Sequence, residues 1–274
     1  MGEFLPISST AHLILVPYFF GWRDPGLAFD VALHLGTLIA VVGFFWREWL
    51  IIFKLALKEI FNFQFSTLPT GRQVFNKFSN SNEKNLKDFE YSSQLLWLLI
   101  IATIPGVLAG YFLEAKAETI FRSPLVIAGT LFLAGLILYL ADKYLQHRKS
   151  LSQVNWQDAM IIGLSQAVAI IPGISRSGAT ITAGLFLGLS RSSAARFSFL
   201  LSTPIILGAT VFKLSELLQA GINWPIVLGV LVSALAGYLA IKYLLLFIER
   251  IGYGIFFWYR TLLAILISIV YFLM

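Results

Sequence analysis

No charged side chain interrupts residues 91–113, 123–141 or 217–241 of this chain. A continuous apolar run of about 20 residues is long enough to cross a bilayer as a helix. In hydrocarbon every backbone N–H and C=O must find a partner within the protein, so only helices and closed barrels span. These runs are continuous rather than alternating, which excludes barrel strands. Composition agrees: 58% of the 274 residues are hydrophobic and 12% are charged, about half the charged share of a soluble domain. The sequence therefore predicts an all-α polytopic membrane protein. The chain contains no cysteine, so disulfides are excluded.

Six windows are predicted as full transmembrane helices: residues 31–46, 91–113, 123–141, 197–212, 217–241 and 251–274, the last interrupted by Arg260. Three further apolar runs, 13–22, 159–175 and 177–190, are short or borderline. They read as legs of two re-entrant helical hairpins, which are tolerated only where bent backbone is buried in protein or lines a cavity. The sequence also repeats. Leu108-Ala-Gly-Tyr111 recurs as Leu235-Ala-Gly-Tyr238, and Pro6 pairs with Pro172. The reading is one integral domain, 1–274, built from repeat one (1–150) and repeat two (151–274). A polar loop at about 58–90 is present only in the first. Three spans per repeat is an odd number, so the second repeat enters from the opposite side and the repeats are inverted. Residues 49–61, at the start of the loop, have the pattern of an amphipathic helix lying on the membrane. The net charge of +6 gathers in a few loops. That suits an orientation signal better than a nucleic-acid surface, and the positive-inside rule places the Lys54–Lys87, Lys143–Lys149, Arg191–Arg196 and Arg250 side in the cytoplasm.

Two polar clusters sit at corresponding places in the repeats: Glu3-Phe-Leu-Pro-Ile-Ser-Ser-Thr-Ala-His12 and Pro172-Gly-Ile-Ser-Arg-Ser-Gly-Ala-Thr180. Polar groups are costly in a membrane, so such clusters are site candidates, and paired broken helices place a site near the midplane. Pro172 and Gly173 end one helix, and the N–H groups opening the next favour an anion. Arg176 adds a planar fork for phosphate oxygens, with Ser175, Ser177, Gly178 and Thr10 completing the cradle. Ser9 and His12 lie one helical turn apart, which allows a Ser–His contact; ordinary capping by the serines and an interior histidine is the competing account. Glu3 is an oxygen ligand for a hard divalent cation (Mg2+ or Ca2+), or a helix-end charge facing water. Asp30 and His34, four apart, either support the site from behind or satisfy each other. Gln166 reaches the site from the other leg or bonds a neighbouring helix.

These two stretches, with Phe29-Asp-Val-Ala-Leu-His-Leu-Gly36 and Arg196-Phe-Ser-Phe-Leu-Leu-Ser-Thr-Pro204, resemble the undecaprenyl-diphosphate phosphatase family of bacteria, whose activity is linked to bacitracin resistance. The likeness extends over essentially the whole chain. The resemblance implies hydrolysis of undecaprenyl diphosphate to the monophosphate and phosphate, recycling the lipid carrier of cell-wall synthesis. It also implies a divalent cation, a site facing outward from the bacterial inner membrane and inverted repeats. The family's motif residues carry over to Glu3, Ser9, His12 and Arg176, with Ser175 beside them; Ser9 is taken as the nucleophile, assisted by His12. The family carries an acidic or amide residue four positions before the match to Glu3, a position that falls ahead of Met1. The chain is thus expected to lack the first leg of its first hairpin and to show weak cation dependence and low activity.

The partners implied are a polyprenyl diphosphate and the bilayer, without nucleic acid; a homodimer is allowed. A transporter or flippase for a lipid phosphate is the alternative, since broken inverted repeats also build transporters. Transport does not require the added Ser–His–Glu set. Lipid phosphatases of the acid-phosphatase type are rejected, because their Ser-Arg is followed after five intervening residues by His, where this chain has Thr182, and the upstream Lys…Arg-Pro element is missing.

Overall fold

In the computed structural model, residues 2–21, 26–62, 91–120, 123–221 and 223–273 are described. Among them the secondary structure is helical and no strand forms. The helices are α1 (Ser9–Phe20), α2 (Leu27–Phe44), α3 (Trp46–Asn62), α4 (Leu95–Ile120), α5 (Pro124–Tyr144), α6 (Trp156–Val168), α7 (Arg176–Phe186), α8 (Arg191–Phe212), α9 (Leu214–Ala220), α10 (Trp224–Ile251) and α11 (Gly254–Leu273). Five helices among the described residues are long and apolar enough to cross a membrane: α4 (over Leu95–Leu113), α5, α8, α10 and α11. The pair α2–α3 passes the same test only jointly, and bends by 70° at Phe45.

Several predicted boundaries move, each for a local reason. The window 217–241 is broken: Gly221 ends α9, and Asn223 caps α10 by accepting from the Ile226 N–H, so the span starts at Trp224 and runs on to Ile251. The window 197–212 extends back to Arg191, where Ser190 accepts from the Ser193 N–H. The arginines of that first stretch are not stranded. Arg191 forks onto Asp142 at 2.6 and 3.2 Å, and Arg196 pairs with Glu48 at 3.4 Å. The segment predicted from 49–61 is helix α3, whose outward stripe Trp46, Leu50, Phe53 and Leu57 is exposed. Most of the predicted polar loop, residues 63–90, lies outside the described residues.

Small residues set the helix spacing, as expected where lipid offers no hydrophobic push between helices. A Cβ on Gly36 of α2 would sit 2.4 Å from the Val230 carbonyl oxygen of α10. One on Gly163 of α6 would sit 2.6 Å from the Ala102 carbonyl oxygen of α4. Neither crossing tolerates a methyl group. α6 and α7 are only 13 and 11 residues long and pack on each other. α1 buries Ala11 and Leu15 against Ile127 and Leu131 of α5 and Ala264 and Ile267 of α11. Ahead of α1, Phe4 is fully buried and meets Phe199 of α8 edge-on at 5.5 Å. This anchor fixes the first polar motif deep in the helix assembly.

Candidate active site

Both polar motifs use the same backbone device. Ser8 (φ 69°) and Ser175 (φ 72°) are the two non-glycine residues with positive φ among the described residues. Each is the N-cap of a short helix: Ser8 Oγ accepts from the Ala11 N–H at 3.4 Å, and Ser175 Oγ accepts from the Gly178 N–H at 3.2 Å. Backbone held in such a conformation costs roughly 1–3 kcal/mol and concentrates at functional sites. The capping foreseen in the first motif is done by Ser8, Ser175 does the same unforeseen in the second, and Ser9 and Arg176 are left as the first residues of α1 and α7.

The two motifs meet. Glu3 lies between them: its Oε1 accepts from Ser9 Oγ at 2.6 Å, and its Oε2 accepts from Arg176 Nη2 at 2.6 Å. Ser177 Oγ donates to the Leu5 carbonyl oxygen at 3.2 Å, a second link between the motifs. His34 Nε2 stands 3.9 Å from Glu3 Oε1, while its Nδ1 is hydrogen-bonded to the Asp30 carbonyl oxygen at 2.7 Å. His34 therefore supports Glu3 from α2, and Asp30 orients it through the backbone. Glu3 and Arg176 side chains each keep about a sixth of their surface exposed (17%), so the pair is shielded but reachable.

Other predicted residues fall differently. His12 makes no hydrogen bond with Ser9: its Nδ1 contacts the Ser8 carbonyl oxygen at 2.7 Å and its Nε2 the Tyr259 hydroxyl at 2.6 Å, with the two rings stacked. The acceptor for Ser9 is Glu3. Helical spacing made a Ser–His contact possible, but the turn that precedes α1 brings Glu3 closer. Thr10 is exposed on the first turn of α1. Gln166 packs on Gly106 of α4, where a Cβ would lie 2.5 Å from its Nε2, so it belongs to the α4–α6 crossing. Ser175 Oγ and Ser177 Oγ lie 3.3 Å apart behind Arg176.

Two residues of α11 were not foreseen: Tyr259, which holds His12, and Arg260, whose Nε donates to the Pro6 carbonyl oxygen at 2.6 Å. A signal for Arg260 existed, since a charge inside a span is a site candidate by default. Tyr259 carried none, because tyrosine near a span end also reads as an interfacial anchor.

A divalent cation does not fit the donors as they stand. Hard cations take six to eight oxygens, or an octahedral set. Glu3 is the sole carboxylate of the two motifs, and both its oxygens accept from Ser9 and Arg176. Among the described residues no group of three His, Cys, Asp or Glu side chains forms a metal-binding cluster. What the arrangement holds is a hydroxyl with a carboxylate at its proton and a guanidinium alongside, groups whose chemistry can serve as nucleophile, base and anion clamp.

The family model described as bacitracin resistance protein BacA matches residues 1–266. The undecaprenyl-diphosphatase of Moorella thermoacetica is 51% identical over 273 residues, covering 100% of this chain and 94% of the relative. Those of Pelotomaculum thermopropionicum and Desulforudis audaxviator are 44% and 45% identical, covering 98% of this chain and 91% and 93% of theirs.

Proposed function

The chain belongs to the bacitracin resistance protein BacA family, and on that premise we propose that it hydrolyses undecaprenyl diphosphate to undecaprenyl phosphate and inorganic phosphate in the bacterial inner membrane. The observation that carries this reading is the contact of Glu3 with both Ser9 and Arg176, residues 167 positions apart in sequence. A passage for anions needs the arginine; it has no use for a hydroxyl hydrogen-bonded to a carboxylate.

In this reading Arg176 and the first turn of α7 hold the terminal phosphoryl group. Ser9 Oγ attacks its phosphorus while the hydroxyl proton passes to Glu3 Oε1. The bond from that phosphorus to the bridging oxygen breaks, and its electron pair leaves on undecaprenyl phosphate. Water then takes the phosphoryl group from Ser9. The proton on Glu3 returns to Oγ, one water proton stays with the released phosphate and the other passes to solvent. His12 lies one turn further along α1 and is held by Tyr259.

The finer architecture belongs to the same proposal: six spans, counting α2–α3 as one, and two re-entrant hairpins in inverted repeats. The matched Ser8 and Ser175 caps and the helices too short to span support it. The site opens outward if the basic loops are cytoplasmic. The test is phosphate release from undecaprenyl diphosphate by purified protein, with and without Arg176→Ala. Release by the unaltered chain that falls ~100-fold in the variant is the expected result; no release by either would overturn the reading.

A further inference from the structure

Among the described residues, no counter-charge stands against Arg260. Its side chain is fully buried within α11. Nε bonds the Pro6 carbonyl oxygen, but Nη1 and Nη2 are buried without a hydrogen-bond partner among the described residues. It joins none of the ion pairs among the described residues. The guanidinium points at the second motif: a Cβ built on Gly178 would lie 2.5 Å from Nη2 and 3.4 Å from Ser175 Oγ. Gly135 opens the other side, where a Cβ would lie 3.0 Å from Arg260 Cδ. Two glycines therefore make room for this one side chain.

Holding the loop does not account for the charge. Pro172 is the counterpart of Pro6 in the second motif, and its carbonyl oxygen is held by Thr130 Oγ1 of α5 at 2.7 Å. The same task, securing a motif's proline carbonyl from a span of the other half, is done once by a neutral hydroxyl and once by a guanidinium. Burying an unpaired cation at membrane depth costs several kcal/mol, so a hydroxyl would be the cheaper solution on both sides. In front of the loops, Glu3 and Arg176 neutralise each other. Arg260 adds a second positive charge behind the one that Arg176 shares with Glu3, across a medium of low dielectric where it is felt strongly.

We propose that Arg260 is a buried electrostatic anchor for the diphosphate, a positioning residue that draws a multiply charged phosphate group onto the first turn of α7 from behind without touching it. This rests on the phosphatase reading above, and deepens it by explaining preference for a diphosphate over a monophosphate.

The test compares Arg260→Gln, which keeps an amide donor for the Pro6 carbonyl but removes the charge, with Arg260→Lys, which keeps the charge. The readouts are KM and kcat for undecaprenyl diphosphate, and inhibition constants for inorganic diphosphate and monophosphate. A single charge acts more strongly on the more highly charged ligand. Arg260→Gln should therefore raise KM and the diphosphate inhibition constant by roughly 10-fold or more, and the monophosphate constant by only about 3-fold, with kcat within a few-fold. Arg260→Lys should stay within about 3-fold of the unaltered protein. Equal shifts for the two anions, equal losses in both variants, or a fall in kcat at constant KM would overturn the proposal in favour of a purely structural role. If the unaltered protein released no phosphate, the phosphatase reading would fall, while binding of the two inorganic anions would still decide this one. If the Gln variant did not fold, thermal protection decides: diphosphate must protect the unaltered and Lys proteins more than monophosphate does, and equal protection would overturn the proposal.

Discussion

Glu3 couples the two motifs, and a double-mutant cycle with Arg176 measures that coupling. Arg176→Ala removes a 2.6 Å charge-assisted bond to Glu3 and, on the proposed function, the phosphate clamp. Hydrogen bonds to charged groups are worth about 1.5–3 kcal/mol each, so the loss in kcat/KM should be about 3 kcal/mol, or ~100-fold. Arg176→Lys should recover part of this, because ammonium lacks the fork. Glu3→Gln acts on two partners at once. The amide carbonyl can still accept from Ser9, but the amide nitrogen then faces Arg176 Nη2, donor against donor, and the base is gone; general-base loss alone is worth about 100-fold or more. In the double variant the donor clash has no partner. The double loss should therefore fall short of the sum of the single losses by at least ~1 kcal/mol, within the range of contacting residues. The assay is phosphate release from undecaprenyl diphosphate, read as kcat/KM in all four proteins with their melting temperatures as a folding control. Additivity within about 0.4 kcal/mol, the behaviour of distant sites, would refute the claim that Glu3 joins the motifs into one site.

Three other outcomes follow from single contacts. Tyr259→Phe removes the 2.6 Å bond to His12 Nε2; it should cost about 1 kcal/mol, or roughly 5-fold in kcat/KM, and the loss should vanish in a His12→Ala background. Gly173→Ala should lower the melting temperature by several degrees, since its φ is +94° and a Cβ would lie 2.0 Å from Thr130 Oγ1; an unchanged melting temperature would show that the α6–α7 turn is not held as described. Leu5→Cys with Ser177→Cys in this cysteine-free chain should cross-link, because Ser177 Oγ contacts the Leu5 carbonyl oxygen at 3.2 Å; persistent failure with reagents of several lengths would separate the two motifs.

Helix content and the two motifs were legible because each rests on a strong local rule. Uncharged runs have one outcome in hydrocarbon, and Ser-Arg-Ser-Gly restarts a helix at Arg176, although the preceding helix stops at Val168, ahead of the Pro172-Gly173 expected to end it. Less legible was everything decided across the sequence. Spacing put Ser9 and His12 on one helix and suggested that they touch. The turn at Ser8 instead directs Ser9 to Glu3, and Tyr259, 247 positions from His12, takes the imidazole. Gln166 illustrates the same limit: its distance from the motif is short in sequence, yet the close approach at Gly106 draws it into a helix crossing. Window edges erred where a cap overrode hydropathy, as at Asn223 and Ser190.

Arg260 and Thr130 do the same backbone task with different chemistry, which makes the neutral member a control for the charged one. Thr130 Oγ1 donates toward the Pro172 and Ile127 carbonyl oxygens at 2.7 and 3.0 Å. Thr130→Val preserves shape and removes the donor, leaving the Pro172 carbonyl without that donor, at a cost of about 1–3 kcal/mol. For a chain of this size each kcal/mol shifts the melting temperature by roughly 2–4 °C, so a fall of several degrees is expected. No charge is lost, so the diphosphate inhibition constant should stay within about 2-fold, the scatter of changes away from a ligand's field. Arg260→Gln should separate the other way, with a large loss of diphosphate affinity because its amide keeps the Pro6 carbonyl partnered. The pair thus distinguishes an anion-directed charge from a loop tether. If Thr130→Val weakened diphosphate binding as much as Arg260→Gln does, the loops' geometry rather than the buried charge would govern affinity, and the asymmetry between the two proline carbonyls would have no functional meaning.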